Sequence, residues 1–196
     1  MHQSTFIDML AARSEAPAGA VRAAAVLFVA ALTAAAAQIS VPLPFTAVPF
    51  TFQPMVVLLG GLALGAKLGM TSQAVYLAAG IVGLPVFAAS ATLPPGPLRL
   101  IGPTGGYLVA YPLAALLVGY LAELGFDRRY VTSVIAMLAG LAVVYAFGVT
   151  WLSVSLGFGG ALAAGVSPFI AADVAKVAAA AGMLPGLWVL LGRASR

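Results

Sequence analysis

An acid and a base three residues apart stand in the alanine-rich stretch SPFIAADVAKVAAAAGMLPGLWVLLG, residues 167–192. Asp173 can accept hydrogen bonds from N–H groups, and Lys176 can donate to carbonyl or carboxylate oxygen. Their spacing puts them on neighbouring positions of one helix face. Such a pair suits a neutral polar ligand with both donors and acceptors, such as an amide or a urea. It also suits an ion pair that fixes helix packing, although desolvation offsets most of the stability a buried pair contributes. Ionisable residues in apolar segments are costly and usually mark function, which favours the ligand reading.

The run IGPTGGYLVAYP carries Gly102, Pro103, Thr104, Gly105, Gly106, Tyr107 and Tyr111. It reads either as a backbone-rich surface beside a ligand, with tyrosine as wall and hydroxyl, or as a tight turn whose glycines permit packing. Arg99, just before it, can bind an anion or simply be solvated. Other chemistry is excluded by absence. There is no cysteine, and the lone histidine, His2, lies near the N-terminus. Thiol catalysis, disulfides, iron–sulfur clusters and histidine-ligated metals therefore fall away. An intramembrane aspartyl protease needs two membrane aspartates, and Asp173 stands alone. GGLALGAKL imitates a phosphate loop, but Ala66 precedes Lys67 and Leu68 follows it, where glycine and serine or threonine are required. The chain is expected to be no enzyme, with no metal, no cofactor and no ATPase of its own.

The elements that must position these residues follow from composition. Of 196 residues, 63% are hydrophobic and 7% charged, against about 25% charged in soluble domains. Mean hydropathy is +1.11. This is an all-α integral membrane protein, with room for roughly six spans of about 20 residues. The apolar runs place them near 22–39, 51–66, 68–84, 104–122, 130–152 and 168–191. Residues 1–21 read as a cytoplasmic N-terminal tail with a short amphipathic helix (Phe6, Ile7, Met9, Leu10). Residues 22–192 form a single six-helix membrane domain, and 193–196 a cytoplasmic tail. The first span ends in small residues like a signal peptide, but its long polar lead favours an uncleaved helix. Between spans, ISVPLPFTAVPF holds Pro42, Pro44 and Pro49 and reads as a loop dipping into the membrane. Residues LPVFAASATLPPGPLRLIGPTGG and GFGGALAAGVSP read as further loops.

Six spans put Arg13, Arg22, Lys67, Arg128, Arg129, Arg193 and Arg196 on one side and only Arg99 on the other. That positive-inside split places both termini in the cytoplasm, and it accounts for the net charge of +4 without nucleic acid. The sixth helix then enters from the outer side at Pro168, with Asp173 roughly 7–8 Å and Lys176 about 12 Å along it. Arg99 lies in the outer loop between spans three and four, so it can face the same region. In the first span Ala30, Ala31, Ala34 and Ala35 form a smooth ridge on which another helix can pack, within this bundle or outside it.

The segments SVPLPFTAVPFTFQPMVVLLGGLALGAKLG, YLAAGIVGLPVFA, GPTGGYLVAYPLAALLVGYLAE and SPFIAADVAKVAAAA resemble BioY. This family is the biotin-specific substrate-binding (S) component of energy-coupling-factor (ECF) vitamin transporters. The resemblance runs from about residue 24 to 185 and departs in ASATLPPGPLRL, where the family carries more glycine. It implies the six-helix S-component fold in the bacterial cytoplasmic (inner) membrane, with biotin bound near the outer surface. Asp173 and Lys176 would hold the urea head and Arg99 the carboxylate. Thr46, Gln53, Tyr76, Gly105, Gly106, Tyr107 and Tyr111 would form the walls. It further implies a transmembrane coupling (T) protein and two ATPase subunits as partners, docked on the alanine ridge. Two alternatives stay open: a non-transporting helical scaffold subunit with a structural Asp–Lys pair, and an S component for another vitamin.

Overall fold

In the computed structural model, residues 4–90, 93–94 and 96–194 are described, and His2 and Arg196 lie outside them. Apolar sequence this continuous can satisfy its backbone only as helix when lipid surrounds it. The chain accordingly runs α1 (Phe6–Arg13), α2 (Ala18–Gln38), α3 (Gln53–Leu64), α4 (Ala66–Ile81), α5 (Leu98–Ile101), α6 (Gly105–Glu123), α7 (Tyr130–Gly165), α8 (Ile170–Ala180) and α9 (Met183–Ala194). Among the described residues, four helical stretches are long and apolar enough to cross a membrane: α2, α6, α7, and α8 with α9 taken as Ile170–Leu190. At 12 and 16 residues, α3 and α4 reach roughly 18 and 24 Å, short of a hydrocarbon core about 30 Å thick. Large apolar side chains point outward, Val154 at 89% exposure and Phe28 at 66% among them. A lipid-facing surface requires this.

Helix α6 is the hub, packed against α3, α4 and α7, and its Ala110, Ala114, Ala115 and Val118 are fully buried. The Gly61-xxx-Gly65 pattern has two separate uses. A Cβ on Gly61 would sit 2.7 Å from the Ala115 carbonyl oxygen, so glycine there lets α3 and α6 touch backbone to backbone. Gly65, at φ +82°, makes the turn from α3 into α4, a conformation other residues adopt only at a cost.

The structure redraws several boundaries. The predicted loop at 157–168 is mostly helix, because α7 continues to Gly165 across a kink where Gly157 takes φ +69° and ψ +166°. Beyond it, Ala161, Leu162, Ala163 and Ala164 are good helix formers and carry the helix on once Gly157 has absorbed the bend. The predicted single helix over 168–191 is two, separated at 181–182. Pro185 has no N–H for the Ala181 carbonyl, and Gly182 adds a second helix-weakening residue. The proline loop is closed at its neck by a two-residue antiparallel ladder, Ser40 with Thr51 and Val41 with Phe50.

The N-terminal stretch carries the expected short helix, α1, which packs against the bundle. Thr5 and Asp8 form a capping box at the start of α1. Ile7 and Ala11 are buried, Ile7 in a cluster with Val26, Val29 and Leu64. The alanine ridge is also split. Ala30 is buried in the core and Ala34 packs against it, while Ala31 and Ala35 are exposed. Residues four apart share a face, so 30/34 and 31/35 are adjoining stripes, and only the second is open to a partner.

Candidate functional site

Five of the residues singled out from the sequence line one cavity: Asp173, Arg99, Tyr107, Tyr111 and Gln53. Its empty volume is about 870 Å³ including the open mouth. The proline loop contributes Ala47, Val48 and Pro49, and apolar wall comes from Phe87, Leu108, Val144 and Phe169. The cavity thus draws on the loop before α3, the segment after α4, and helices α6, α7 and α8. Residues scattered over more than 120 positions meet only because the bundle closes around them.

Asp173 lies in the first turn of α8, where the helix dipole favours a negative charge. It is buried, and both carboxylate oxygens are engaged. Lys176 Nζ donates to Oδ1 at 2.9 Å, and the Tyr145 hydroxyl donates to Oδ2 at 2.6 Å. The side chains of Asp173 and Lys176 are each 9% exposed. Lys176 does not line the cavity; it stands behind Asp173, donating also to the Thr51 carbonyl at 2.7 Å. Its Nζ lies 3.7 Å from the Phe50 ring centroid and 5.1 Å from that of Phe52. The β-ladder at the loop neck is what holds Phe50 and Thr51 there.

Arg99, on α5, is 7% exposed. Its Nε donates to the Pro94 carbonyl at 3.0 Å and its Nη1 to the Ala88 carbonyl at 2.9 Å. Burial draws its pKa down, but a guanidinium remains charged, and among the described residues only Nε and one Nη1 proton are engaged. A solvated loop arginine is thereby ruled out.

The other candidates have supporting positions. Tyr76 lies outside the lining and receives a hydrogen bond from Gln53 Nε2 at 2.6 Å, with Phe87 edge-on to its ring at 5.5 Å between centroids. Thr46 donates to the Ala164 carbonyl at 2.8 Å, tying the proline loop to α7. Tyr107 both lines the cavity and donates to the Gly165 carbonyl at 2.9 Å. Gly105 and Gly106 are packing glycines. A Cβ on Gly106 would strike the Trp151 side chain and the Phe147 carbonyl, and one on Gly105 the Leu100 carbonyl. Of their two open readings, the geometry supports the tight turn before a closely packed helix. Sequence reasoning missed Tyr145, Phe87 and Phe169. A tyrosine within the apolar run of α7 was a signal for the first, and nothing in the sequence separates the two phenylalanines from lipid-facing ones.

A helical membrane protein with an open-mouthed cavity, a buried acid on one wall and a buried guanidinium on another is a small-molecule binding protein of the bilayer. Comparison with known proteins makes this particular. Residues 9–193 match the model of the BioY family, and the chain belongs to that family. It is 44% identical over 155 residues to a probable biotin transporter BioY of Pyrococcus horikoshii, covering 79% of this chain and 87% of that protein. It is 38% identical over 152 residues to the biotin transporter BioY of Thermotoga maritima, covering 77% and 86%. A crystal structure of the S-component for biotin from an ECF-type ABC transporter superposes with a TM-score of 0.76 at 26% identity, covering 85% of this chain and 89% of that one.

Proposed function

We propose that this chain binds biotin in the cavity lined by Asp173 and Arg99 and takes it up across the cytoplasmic membrane as the S component of an ECF-type transporter. Family membership supports the substrate, and one observation carries the site. An acceptor-rich acid and a donor-rich guanidinium line the same largely apolar cavity. Biotin has a matching distribution, with a urea head, an apolar thiolane ring and a carboxylate tail. In this reading the urea N–H groups face Asp173 and the carboxylate faces Arg99, while Phe87, Leu108, Val144 and Phe169 enclose the ring.

The chain performs no bond chemistry, so energy for uptake comes from a T protein and two ATPase subunits. The exposed Ala31/Ala35 stripe of α2 serves as their docking face. Six spans with both termini in the cytoplasm agree with the basic residues clustered on one side; α3 and α4 are then short spans whose ends are met by the loops. Calorimetric titration of biotin into purified protein tests the reading. Tight binding is expected, lost in both Asp173→Asn and Lys176→Ala. Binding kept in both variants would overturn the site, and a wild type that does not bind would overturn the function.

A further inference from the structure

The turn after Arg99 is held from outside the cavity. Gly102 ends α5, and its carbonyl oxygen has two lone pairs. One accepts from the Gly105 N–H at 3.0 Å, closing the turn into α6. The other accepts from Trp151 Nε1, on α7, at 2.9 Å. Packing sets the indole there. A Cβ on Gly106 would strike the Trp151 side chain, and one on Gly105 would lie 3.2 Å from its ring. On the opposite side, a Cβ on Gly102 would strike Leu93, which lines the cavity. Trp151 itself is 41% exposed and does not line the cavity. A half-exposed tryptophan in a membrane protein is ordinarily an interfacial anchor, its ring at the headgroup level. Here the donor of that ring is committed to the one carbonyl that joins α5, α6 and α7.

From this geometry we infer that Trp151 is a positioning residue for the Arg99 end of the cavity, acting through Gly102 without touching the ligand. Helix α5 is a single turn, Leu98–Ile101, too short to fix its own orientation. The Arg99 side chain ties it to the Ala88 and Pro94 carbonyls of the preceding loop. The indole ties it to the bundle. Removing the indole N–H leaves one acceptor of Gly102 unpaired and frees the turn to shift. A charge-assisted hydrogen bond from the guanidinium depends on geometry and registers that shift, whereas apolar wall contacts do so far less. This role rests on the proposed biotin reading, in which Arg99 meets the carboxylate.

The test titrates biotin and biotin amide calorimetrically into wild type, Trp151→Phe, Arg99→Ala and the double variant. W151F keeps a ring against Gly105 and Gly106 and removes the N–H. It should weaken biotin about fivefold, as expected for one lost hydrogen bond, and leave biotin amide within about twofold. In the R99A background W151F should cost less than about twofold for either ligand, because both substitutions act on one contact. An equal loss for acid and amide, a loss that persists undiminished in R99A, or no loss in W151F overturns the inference. Should W151F not fold, Trp151→Tyr, which also lacks the indole N–H, decides by the same pattern. A wild type that fails to bind biotin overturns the proposed function, an outcome distinct from a wild type that binds but shows no coupling between Trp151 and Arg99.

Discussion

Two aspartates are buried among the described residues, and their surroundings differ in one decisive respect. Asp173 has a lysine and a tyrosine on its two oxygens and borders a cavity. Asp127, on a short 3-10 turn at Phe126–Arg128 between α6 and α7, is fully buried and does not line the cavity. Its Oδ2 accepts from Trp188 Nε1 at 2.7 Å, and Arg128 Nε lies 3.4 Å from Oδ1. The Arg128 guanidinium stacks 3.5 Å over the Trp188 ring and reaches the Ser4 carbonyl at 2.8 Å, while Phe6 meets the same ring edge-on at 5.8 Å. This is a clasp joining the N-terminal stretch, the α6–α7 turn and α9. Both acids have partners of opposite charge, so charge pairing does not distinguish a site from a fastening. Unused lone pairs facing an empty volume do.

The largest expected effect breaks the comparison on one side only. Asp173→Asn should weaken biotin by more than about a hundredfold, since an amide presents an N–H where the cavity offered an acceptor. Asp127→Asn should leave the affinity within about twofold while shifting thermal unfolding. Comparable losses of binding in both variants would mean the two acids act through general stability, and the distinction drawn above would fail. The second effect is smaller and concerns the other charged wall. Arg99→Ala should cost about ten- to a hundredfold for biotin, a charge-assisted hydrogen bond being worth about 1.5–3 kcal/mol. Biotin amide, which lacks the carboxylate charge, should lose much less. If the amide and the acid fall together, Arg99 only holds the Ala88–Pro94 segment through its two carbonyl contacts.

The contrast also explains what the sequence disclosed. DVAK was legible because a charge within alanine and valine stands out against its neighbours, and Arg99 because it was the only basic residue on its side of the six-span arrangement. That Lys176 stands behind Asp173 was not legible. Which of two adjacent helical positions faces a cavity depends on the rotation of α8, and the Phe50–Thr51 ladder that receives the ammonium is 125 residues away. The clasp escaped notice for the opposite reason. Asp127 sits among Glu123, Arg128 and Arg129 in a polar turn, where a buried acid looks like any solvated one. Helix ends followed local chemistry that was misweighted. The glycines of GFGGALAAG suggested a loop, but one glycine absorbed the bend and the alanines continued the helix.

The smallest effect lies in the clasp itself. Burial raises the Asp127 pKa above its ordinary value, while Trp188 and Arg128 offset part of the rise. A carboxyl whose pKa is higher folded than unfolded favours the folded state in its protonated form. That contribution is fully present below the unfolded value, and it is lost as pH rises through the folded one. Trp188→Phe keeps a ring for Phe6 and Arg128 but removes the N–H donor, so it should raise the Asp127 pKa further and cost about 1–2 kcal/mol at neutral pH. Thermal unfolding in detergent, followed between pH 4 and 7, should show the Trp188→Phe deficit growing toward neutrality. In Asp127→Asn, which carries no charge at any pH, the same substitution should produce a deficit that does not change with pH. A deficit equally pH-independent in both backgrounds would show that Trp188 fastens α9 through its ring alone, with the buried acid contributing no more than shape.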